Sequence, residues 1–435
     1  MGIIAFIISV TFLLFSLMIS IKKKKKIVSP NVIFLSLWTF ILFLSNLNLF
    51  NIIKPSDKAY LLITIMIVFF EIGYSAILGL RFQIKTNEKK VTLRKKLFWI
   101  FSLLTMLFNV LDIIIVIQQY KKGVPMWQIR NWSLAPYGSS NPILDRQGFI
   151  ETVLRNIILT PFDAIIGPIA AYKFFTEQDK KEKYSYSIIA IINLILGSMS
   201  SGGGRLGFIV FIGCYVLAFV LSIRNNTINS QKIKKYKRNI VLFCIFGILV
   251  ITLYTVIRAG AKNILKQIYT YFALPPTLLS IWIPTIEKTK LTYGFTTLFG
   301  VHSYIFRFLE KVGLKTLIPN LYYISFDNIT NAEMFRNVGY GVANAFVTPV
   351  YYFMLDGGIP AVIIFSFVFG IIVSGISNKL NKMEDINLRY FVIYCLIMYG
   401  IFISFIRIQT SIPTYIISFI YCYIFIKGVK NKNAK

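Results

Sequence analysis

The sequence predicts an all-α, polytopic membrane protein with about eleven transmembrane helices and one long structured extracytoplasmic loop. Three observations carry that expectation. Apolar residues make up 56% of the 435 residues and mean hydropathy is +0.68. Runs of roughly 20 apolar residues, the length that crosses a bilayer's hydrocarbon core, recur from residue 2 almost to the end. The loops between them carry their basic residues nearly all on one side. No soluble core could hide so many uninterrupted apolar segments.

A span over Gly2–Ile21 opens the chain, and the pentalysine Lys22–Lys26 follows it directly. With its lysines after the apolar run, this segment reads as a retained helix and not a cleaved signal. Spans over Asn31–Ile53 and Ala59–Leu80 lead to a loop crowded with Arg81, Lys85, Lys89, Lys90, Arg94, Lys95 and Lys96. Leu97–Gln118 and Thr152–Phe175 enclose a smaller loop, Gln119–Glu151, and are followed by Lys173, Lys180, Lys181 and Lys183. Tyr186–Ser200 and Leu206–Ile223 come next; Arg224, Lys232, Lys234, Lys235, Lys237 and Arg238 then precede Ile240–Ile257. Beyond the long segment Arg258–Gly358 lie Ile359–Asn378, Tyr390–Ile408 and Ser411–Ile426, with Lys379, Lys382, Arg389 and the tail lysines Lys427, Lys430, Lys432 and Lys435. If spans alternate, these basic loops share one face, which the positive-inside rule makes cytoplasmic. The N-terminus is then outside and the C-terminus inside.

That arrangement accounts for a net charge of +30 without nucleic acid, since short basic loops beside spans serve topogenesis and attract anionic lipid. Cys214, Cys244, Cys395 and Cys422 fall inside spans with no CxxC, so neither a disulfide framework nor a metal site is expected. No internal repeat or linker is evident, so residues 1–435 read as one membrane domain containing the outer loops 119–151 and 258–358.

A structureless loop as long as 258–358 is improbable inside a compact domain, so it should carry structure of its own. Ile264–Pro284 is interrupted by Pro275-Pro276, and Phe295–Leu309 is too short to span comfortably; both are expected to be interfacial or re-entrant helices. Their rings (Tyr269, Tyr271, Phe272, Trp282, Phe295, Phe299, Tyr304, Phe306, Phe308) suit either an interfacial belt or stacking on sugars. Ser200-Ser201-Gly202-Gly203-Gly204-Arg205-Leu206-Gly207 ends one span and opens the next. Free backbone N–H groups, a helix N-terminus and an arginine at one point can hold an anion; a tight inter-helical turn with Arg205 reaching headgroups is the plainer alternative. Glu71, Asp112, Arg155, Asp163 and Arg407 lie within spans, where charges face cavities or pair, and Arg155 and Asp163 could bridge through a third group. Arg258, Arg307 and Arg336 add outer-face cations, and His302 is the single histidine.

With these residues in view, the chain resembles the Wzy-type oligosaccharide repeat-unit polymerases of O-antigen and capsule synthesis. Gly202-Gly203-Gly204-Arg205 is similar to that family's Ser/Gly-rich segment closing on arginine. Tyr269-Thr270-Tyr271-Phe272 with Tyr293-Gly294-Phe295 resembles the opening of its long outer loop. Asn344-Ala345-Phe346 through Tyr351-Tyr352, then Leu355-Asp356-Gly357-Gly358-Ile359-Pro360, looks like the stretch before a late span, with Gly357 where the family commonly has an aromatic. The likeness covers most of residues 190–380.

The resemblance implies transfer of a glycan from polyprenyl diphosphate to a lipid-linked repeat unit, at the outer face of a bacterial cytoplasmic membrane, without cofactor. Cations must grip the leaving diphosphate more tightly as its charge builds, and Arg205, Arg258, Arg336 and Arg307, with the backbone of Gly203 and Gly204, are the candidates. The acceptor hydroxyl needs a base or orienting acceptor, for which His302, Asp356 and Glu333 are candidates, although Asp356 equally suits a helix cap. Partners implied are the lipid-linked oligosaccharide, membrane lipids, a chain-length regulator and a flippase. A lipid-linked oligosaccharide flippase, an O-antigen-type ligase and a receptor are the competing classes. Abundant Ile, Lys, Asn and Phe suggest an AT-rich genome.

Overall fold

A computed structural model describes residues 1–22, 29–79, 91–125, 128–129, 153–202, 204–224, 230–259, 264–383 and 387–428. Of the described residues, 81% are helical. The helices are α1 (Gly2–Lys22), α2 (Pro30–Leu47), α3 (Asp57–Gly79), α4 (Lys95–Lys121), α5 (Thr160–Thr176, entered from a π-helical turn Leu154–Leu159), α6 (Lys180–Ser200), α7 (Leu206–Arg224) and α8 (Ser230–Ala259). They continue with α9 (Ile264–Ile286), α10 (Phe299–Lys311), α11 (Asn320–Ala332), α12 (Thr348–Lys382), α13 (Leu388–Phe402) and α14 (Pro413–Phe425). Two short antiparallel pairs join β1 (Val91–Leu93) to β4 (Ile426–Gly428) and β2 (Arg336–Asn337) to β3 (Val342–Ala343). Among the described residues, seven helical stretches are long and apolar enough to cross a membrane: Gly2–Ile21, Pro30–Leu47, Asp57–Ile77, Lys95–Lys121, Leu154–Thr176, Leu206–Arg224 and Thr348–Lys382. Leu388–Ile403 and Pro413–Phe425 are shorter apolar helices. Only 17% of the α1 stretch and 22% of the α4 stretch are buried in protein, so their apolar side chains face outward, as lipid-facing helices do. The fold is that of an all-α, membrane-embedded protein.

By its internal contacts the chain groups into two compact units. The first comprises Met1–Lys85, Leu265–Lys382 and Ile397–Ile416; the second comprises Thr86–Ile264, Met383–Leu396 and Ile417–Lys435. The pentalysine from Lys23 onward and nearly all of the predicted 119–151 loop beyond Pro125 lie outside the described residues.

In the first unit, α3 and α12 make the most extensive helix pairing. Each presents a glycine to the other's backbone: a Cβ on Gly73 would stand 2.1 Å from the Phe367 carbonyl oxygen, and one on Gly370 would stand 2.1 Å from that of Phe70. Small residues permit such close approach, which is how helices associate where no hydrophobic effect drives them together. Glu71 is 3% exposed and accepts hydrogen bonds from the Ser16 hydroxyl and from Asn31 Nδ2 at 2.8 Å, tying α1, α2 and α3 through one carboxylate. The predicted second span to Ile53 ends early, at Leu47, because Asn48 takes the left-handed conformation (φ 49°) and stops the helix. The connection that follows runs alongside α9. Leu49 N–H donates to Tyr269 at 2.8 Å, Thr277 donates to the Ile53 carbonyl at 2.9 Å, Ser56 N–H donates to Ser280 at 2.9 Å, and Lys58 pairs with Glu287.

The last long helix begins at Thr348, well before the predicted Ile359, and is broken in its course. Gly358 adopts φ 64°, a conformation glycine takes without strain, and Pro360 follows two residues later. The carbonyls freed at the break are taken up locally. Thr292 N–H donates to Leu355 at 3.0 Å and Tyr293 N–H to Asp356 at 2.9 Å.

In the second unit, α5 packs on α6 and α7, α4 on α6, and α8 on α7. The carbonyls of the π turn and of Pro161 are met by Tyr421 and Ser418 of α14, at 2.9 and 3.2 Å. Arg224 donates to the Met383 carbonyl, Lys183 to Tyr236 at 2.9 Å, and Arg389 to the Ile426 carbonyl beside the β1–β4 pair.

Candidate functional site

The richest convergence of charge, rings and backbone strain lies in the first unit, around residues 333–356. After β3 the chain turns into α12 through Ala345 (φ 67°) and Thr348 (φ 66°), both left-handed without being glycine. Thr348 is β-branched and fully buried, so its conformation costs about 1–3 kcal/mol and must be held by its surroundings. The hold is the Ile406 carbonyl, which accepts from both Val347 and Thr348 N–H at 3.1 Å. Arg407, the next residue, forms an ion pair with Glu333 at 2.6 Å, with side chains 24% and 18% exposed. Asn344 Nδ2 donates to the Glu333 carbonyl at 2.9 Å, closing the loop on itself.

Arg336 sits three residues beyond Glu333, in β2. Its guanidinium stacks on the buried Trp282 ring, 4.0 Å from the centroid, and its Nε is buried with no hydrogen-bond partner among the described residues. Tyr351 packs edge-on against Trp282 at 5.7 Å and donates to the Asn328 carbonyl at 2.9 Å. Its neighbour Tyr352, 5.3 Å away ring to ring, lies within the field of Arg407 and Glu333, as Tyr351 lies within that of Arg336. The result is two arginines beside an aromatic wall. One is neutralised by Glu333, while the other is stacked on indole. An arginine seated over an indole ring is attracted by the ring's electron-rich face, and its planar fork suits a bidentate oxyanion.

Asp356, the last residue before the break in α12, is 1% exposed and uses both carboxylate oxygens. Oδ1 accepts from the Thr292 hydroxyl at 2.5 Å and Thr296 N–H at 3.0 Å; Oδ2 accepts from Thr297 N–H at 2.8 Å. It therefore fastens the turn that enters α10, and the helix it was expected to cap, its own, is not the one it serves. His302 lies on α10 within reach of the Asp356 charge, boxed by Phe295, Phe306 and Phe299 at 4.8, 5.3 and 5.5 Å. Its Nε2 bonds the Phe295 carbonyl at 3.1 Å. Burial lowers its pKa from the ordinary histidine value, against the opposing pull of that carbonyl and of Asp356, so the neutral imidazole is favoured.

The remaining candidates fall elsewhere. Arg307 stands over Phe326 at 5.8 Å, on the far part of α10. Arg205, Gly204 and Arg258 belong to the second unit, and Gly203 lies outside the described residues. The glycine-rich turn was expected to offer free N–H groups, but those of Ser201, Gly202 and Gly204 donate to Gly197, Met199 and Ser198 carbonyls at 3.2, 3.1 and 3.3 Å. Its Ser198 and Ser200 hydroxyls bond the Gly204 carbonyl at 2.8 Å and Asn109 at 3.1 Å. Arg155 pairs with Asp112 of α4 and lies over the Phe108 ring at 5.0 Å, and Asp163 is exposed. Glu71 belongs to the α1–α2–α3 tie. Reading the sequence alone missed Trp282 as the seat of an arginine and the threonines Thr292, Thr296 and Thr297 as the grip on Asp356. Four threonines within residues 289–297 were the visible signal. No family model, curated protein or solved structure matches this chain.

Proposed function

We propose that the protein is a polysaccharide polymerase that transfers a polyprenyl-diphosphate-linked glycan onto a lipid-linked repeat unit at the outer face of the cytoplasmic membrane. The observation that carries this reading is Arg336, stacked on Trp282 beside Tyr351 and Tyr352, in a segment inserted between apolar helices. The fork of Arg336 takes the diphosphate, and its charge is worth more as the departing oxygen becomes anionic. The buried rings of Trp282, Tyr351 and Tyr352 form the wall that seats this arginine. Arg407 and Glu333 hold the segment in place, and Asp356 sets the turn before α10.

Taking α6, α8, α13 and α14 as spans beside the seven longest gives the eleven of the sequence reading. The contacts within each unit suit that topology. In the first unit, Met1 meets Asp57, the 49–58 connection meets α9, Glu333 meets Arg407 and Thr410 meets Thr297, all on the predicted outer face. Asn378 meets Ile77 on the predicted inner face. In the second unit, Arg155 meets Asp112 outside, and Arg224–Met383, Lys95–Glu182 and β1–β4 meet inside. Both ends of α9 are tied to the connection between α2 and α3, so α9 runs along the membrane surface instead of through it.

The test is reconstitution of the purified protein with lipid-linked repeat units. A ladder of chain lengths supports polymerisation. Translocation without lengthening makes it a flippase, and transfer to a foreign acceptor makes it a ligase. Cysteine labelling from outside should reach probes in 287–290 and spare probes beside Lys24.

A further inference from the structure

We infer that α10 is an in-plane membrane helix whose exposed stripe, Leu298, Val301, Ile305, Phe308 and Val312, rests in the acyl chains of the leaflet beside the α13–α14 turn. The spacing of three and four residues puts all five on one side of the helix. Val301, Ile305 and Phe308 are 55%, 60% and 64% exposed, so the protein itself leaves the stripe uncovered.

Two contacts fix the depth of the helix. On the side away from the stripe, Gly300 meets backbone: a Cβ there would stand 2.6 and 2.7 Å from the carbonyl oxygens of Thr410 and Ile412. Those residues belong to the turn between α13 and α14, where the chain passes from one apolar helix to the next. The Thr410 hydroxyl also donates to the Thr297 carbonyl at 2.7 Å, one residue before the stripe. At the other approach, Gly294 (φ 93°) lies against the Phe365 ring of α12, one of the seven long apolar helices. The outward residues of that helix, Ile364, Val368 and Ile372, are 58%, 41% and 51% exposed. The apolar stripe of α10 is therefore attached to the flank of a helix whose own outward face is apolar.

Lipid is the occupant that fits. The stripe adjoins an outward apolar face and carries exposed Lys311 and Lys315 at its C-terminal end, where headgroup phosphates would lie. An amphipathic helix with apolar residues on one side and cations at its border lies in the interface and does not cross it. In that position α10 keeps His302, on its inner flank, and the Asp356 turn at the membrane surface. This inference stands on packing alone and holds whatever reaction the protein performs.

The experiment is nitroxide accessibility on the full chain in phosphatidylcholine–phosphatidylglycerol bilayers, with labels on I305C and F308C and a control on K288C. All three native positions are exposed, so folding is checked by a single symmetric elution peak and unchanged helical dichroism. Lipid burial is expected to make labels at 305 and 308 collide with oxygen more than with a water-soluble nickel chelate, and label 288 the reverse. Nickel-dominated collisions at 305 and 308 would overturn the inference. So would labels shielded from both reagents; if these also show dipolar broadening between labelled chains, the occupant is a second copy. Because no substrate is used, this outcome is independent of the polymerisation assay.

Discussion

The glycine-rich turn at 197–205 and the broken helix at 348–382 offer the same raw material, glycines and an arginine near a helix end, and they use it in opposite ways. In the turn, the N–H groups of Ser201, Gly202 and Gly204 close on carbonyls from the end of α6. Its glycines serve to reverse the chain within a few residues. In the broken helix, Gly358 opens the backbone, and neighbouring segments supply what the break leaves unsatisfied: Thr292 and Tyr293 for the carbonyls, Ile406 for the strained entry at Thr348. Held in place from outside, that second region packs Tyr351 against Trp282 of α9, over which Arg336 of β2 lies. A short motif that spends the N–H groups of Ser201, Gly202 and Gly204 on its own carbonyls does not offer those groups to a ligand. A strained junction held by its surroundings has more to offer one.

The two arginines can be set against each other directly. Arg336→Lys keeps the charge but loses the stacked planar fork, and polymer formation should fall by about 100-fold, on the scale of losing one strong transition-state contact. Arg205→Lys should cost clearly less. Both are read as ladder intensity per mole of membrane protein. Equal losses, or a larger one at Arg205, would return the diphosphate to the glycine-rich turn.

A smaller effect is expected at the Glu333–Arg407 pair, which fastens the 333–347 loop to the chain after α13. Removing one partner leaves the other charge poorly solvated, so Arg407→Met or Glu333→Gln should each destabilise by about 2–3 kcal/mol, below the fully buried limit because both groups keep some exposure. The double variant should recover part of that loss, since neither charge is then stranded. Thermal unfolding in one detergent measures all three. Additive losses would mean that the pair does not couple loop to helix.

How far the sequence could see is itself instructive. Apolar runs of spanning length are long-lived signals, and α1, α3, α4, α5 and α7 lie close to where they were expected. Their edges moved where one residue's backbone decided the matter, as Asn48 did for α2 and Pro349 with Gly358 did for α12. Asp356, Glu333, Arg336 and His302 were singled out by residue type, but their partners lie far along the chain. Thr292 and Thr297 hold a carboxylate about 60 positions away. No local pattern announces that Arg407 answers Glu333, or that Trp282 seats Arg336. Arg155 is similar: its ion-pair partner Asp112 lies on α4, 43 positions earlier in the chain.

Asp356 separates a positioning role from proton transfer by a still smaller effect. Asparagine has one acceptor oxygen and presents N–H where Thr296 or Thr297 already donates, so Asp356→Asn should lose about 1–3 kcal/mol of stability. Activity per folded molecule should persist. A stable, substrate-binding variant that makes no polymer would instead identify Asp356 as the base.

His302 should give the smallest change, and its sign is fixed by the direction of its shift. Burial among rings depresses the folded-state pKa below the ordinary 6.5 of the unfolded chain. At neutral pH the imidazole is uncharged in both states, so this group's contribution to stability is fully present there. As pH drops below about 6.5 the unfolded chain takes up the proton first, and stability is lost until the folded form is protonated as well. His302→Gln removes that term and should flatten the stability profile between pH 7 and 5 while leaving neutral-pH activity nearly unchanged. Unfolding followed by tryptophan fluorescence across that range gives the slope directly. A steeper slope in the variant would contradict the depressed pKa, and loss of polymer formation at pH 7 would make the imidazole, not the stacked Arg336, the group to pursue.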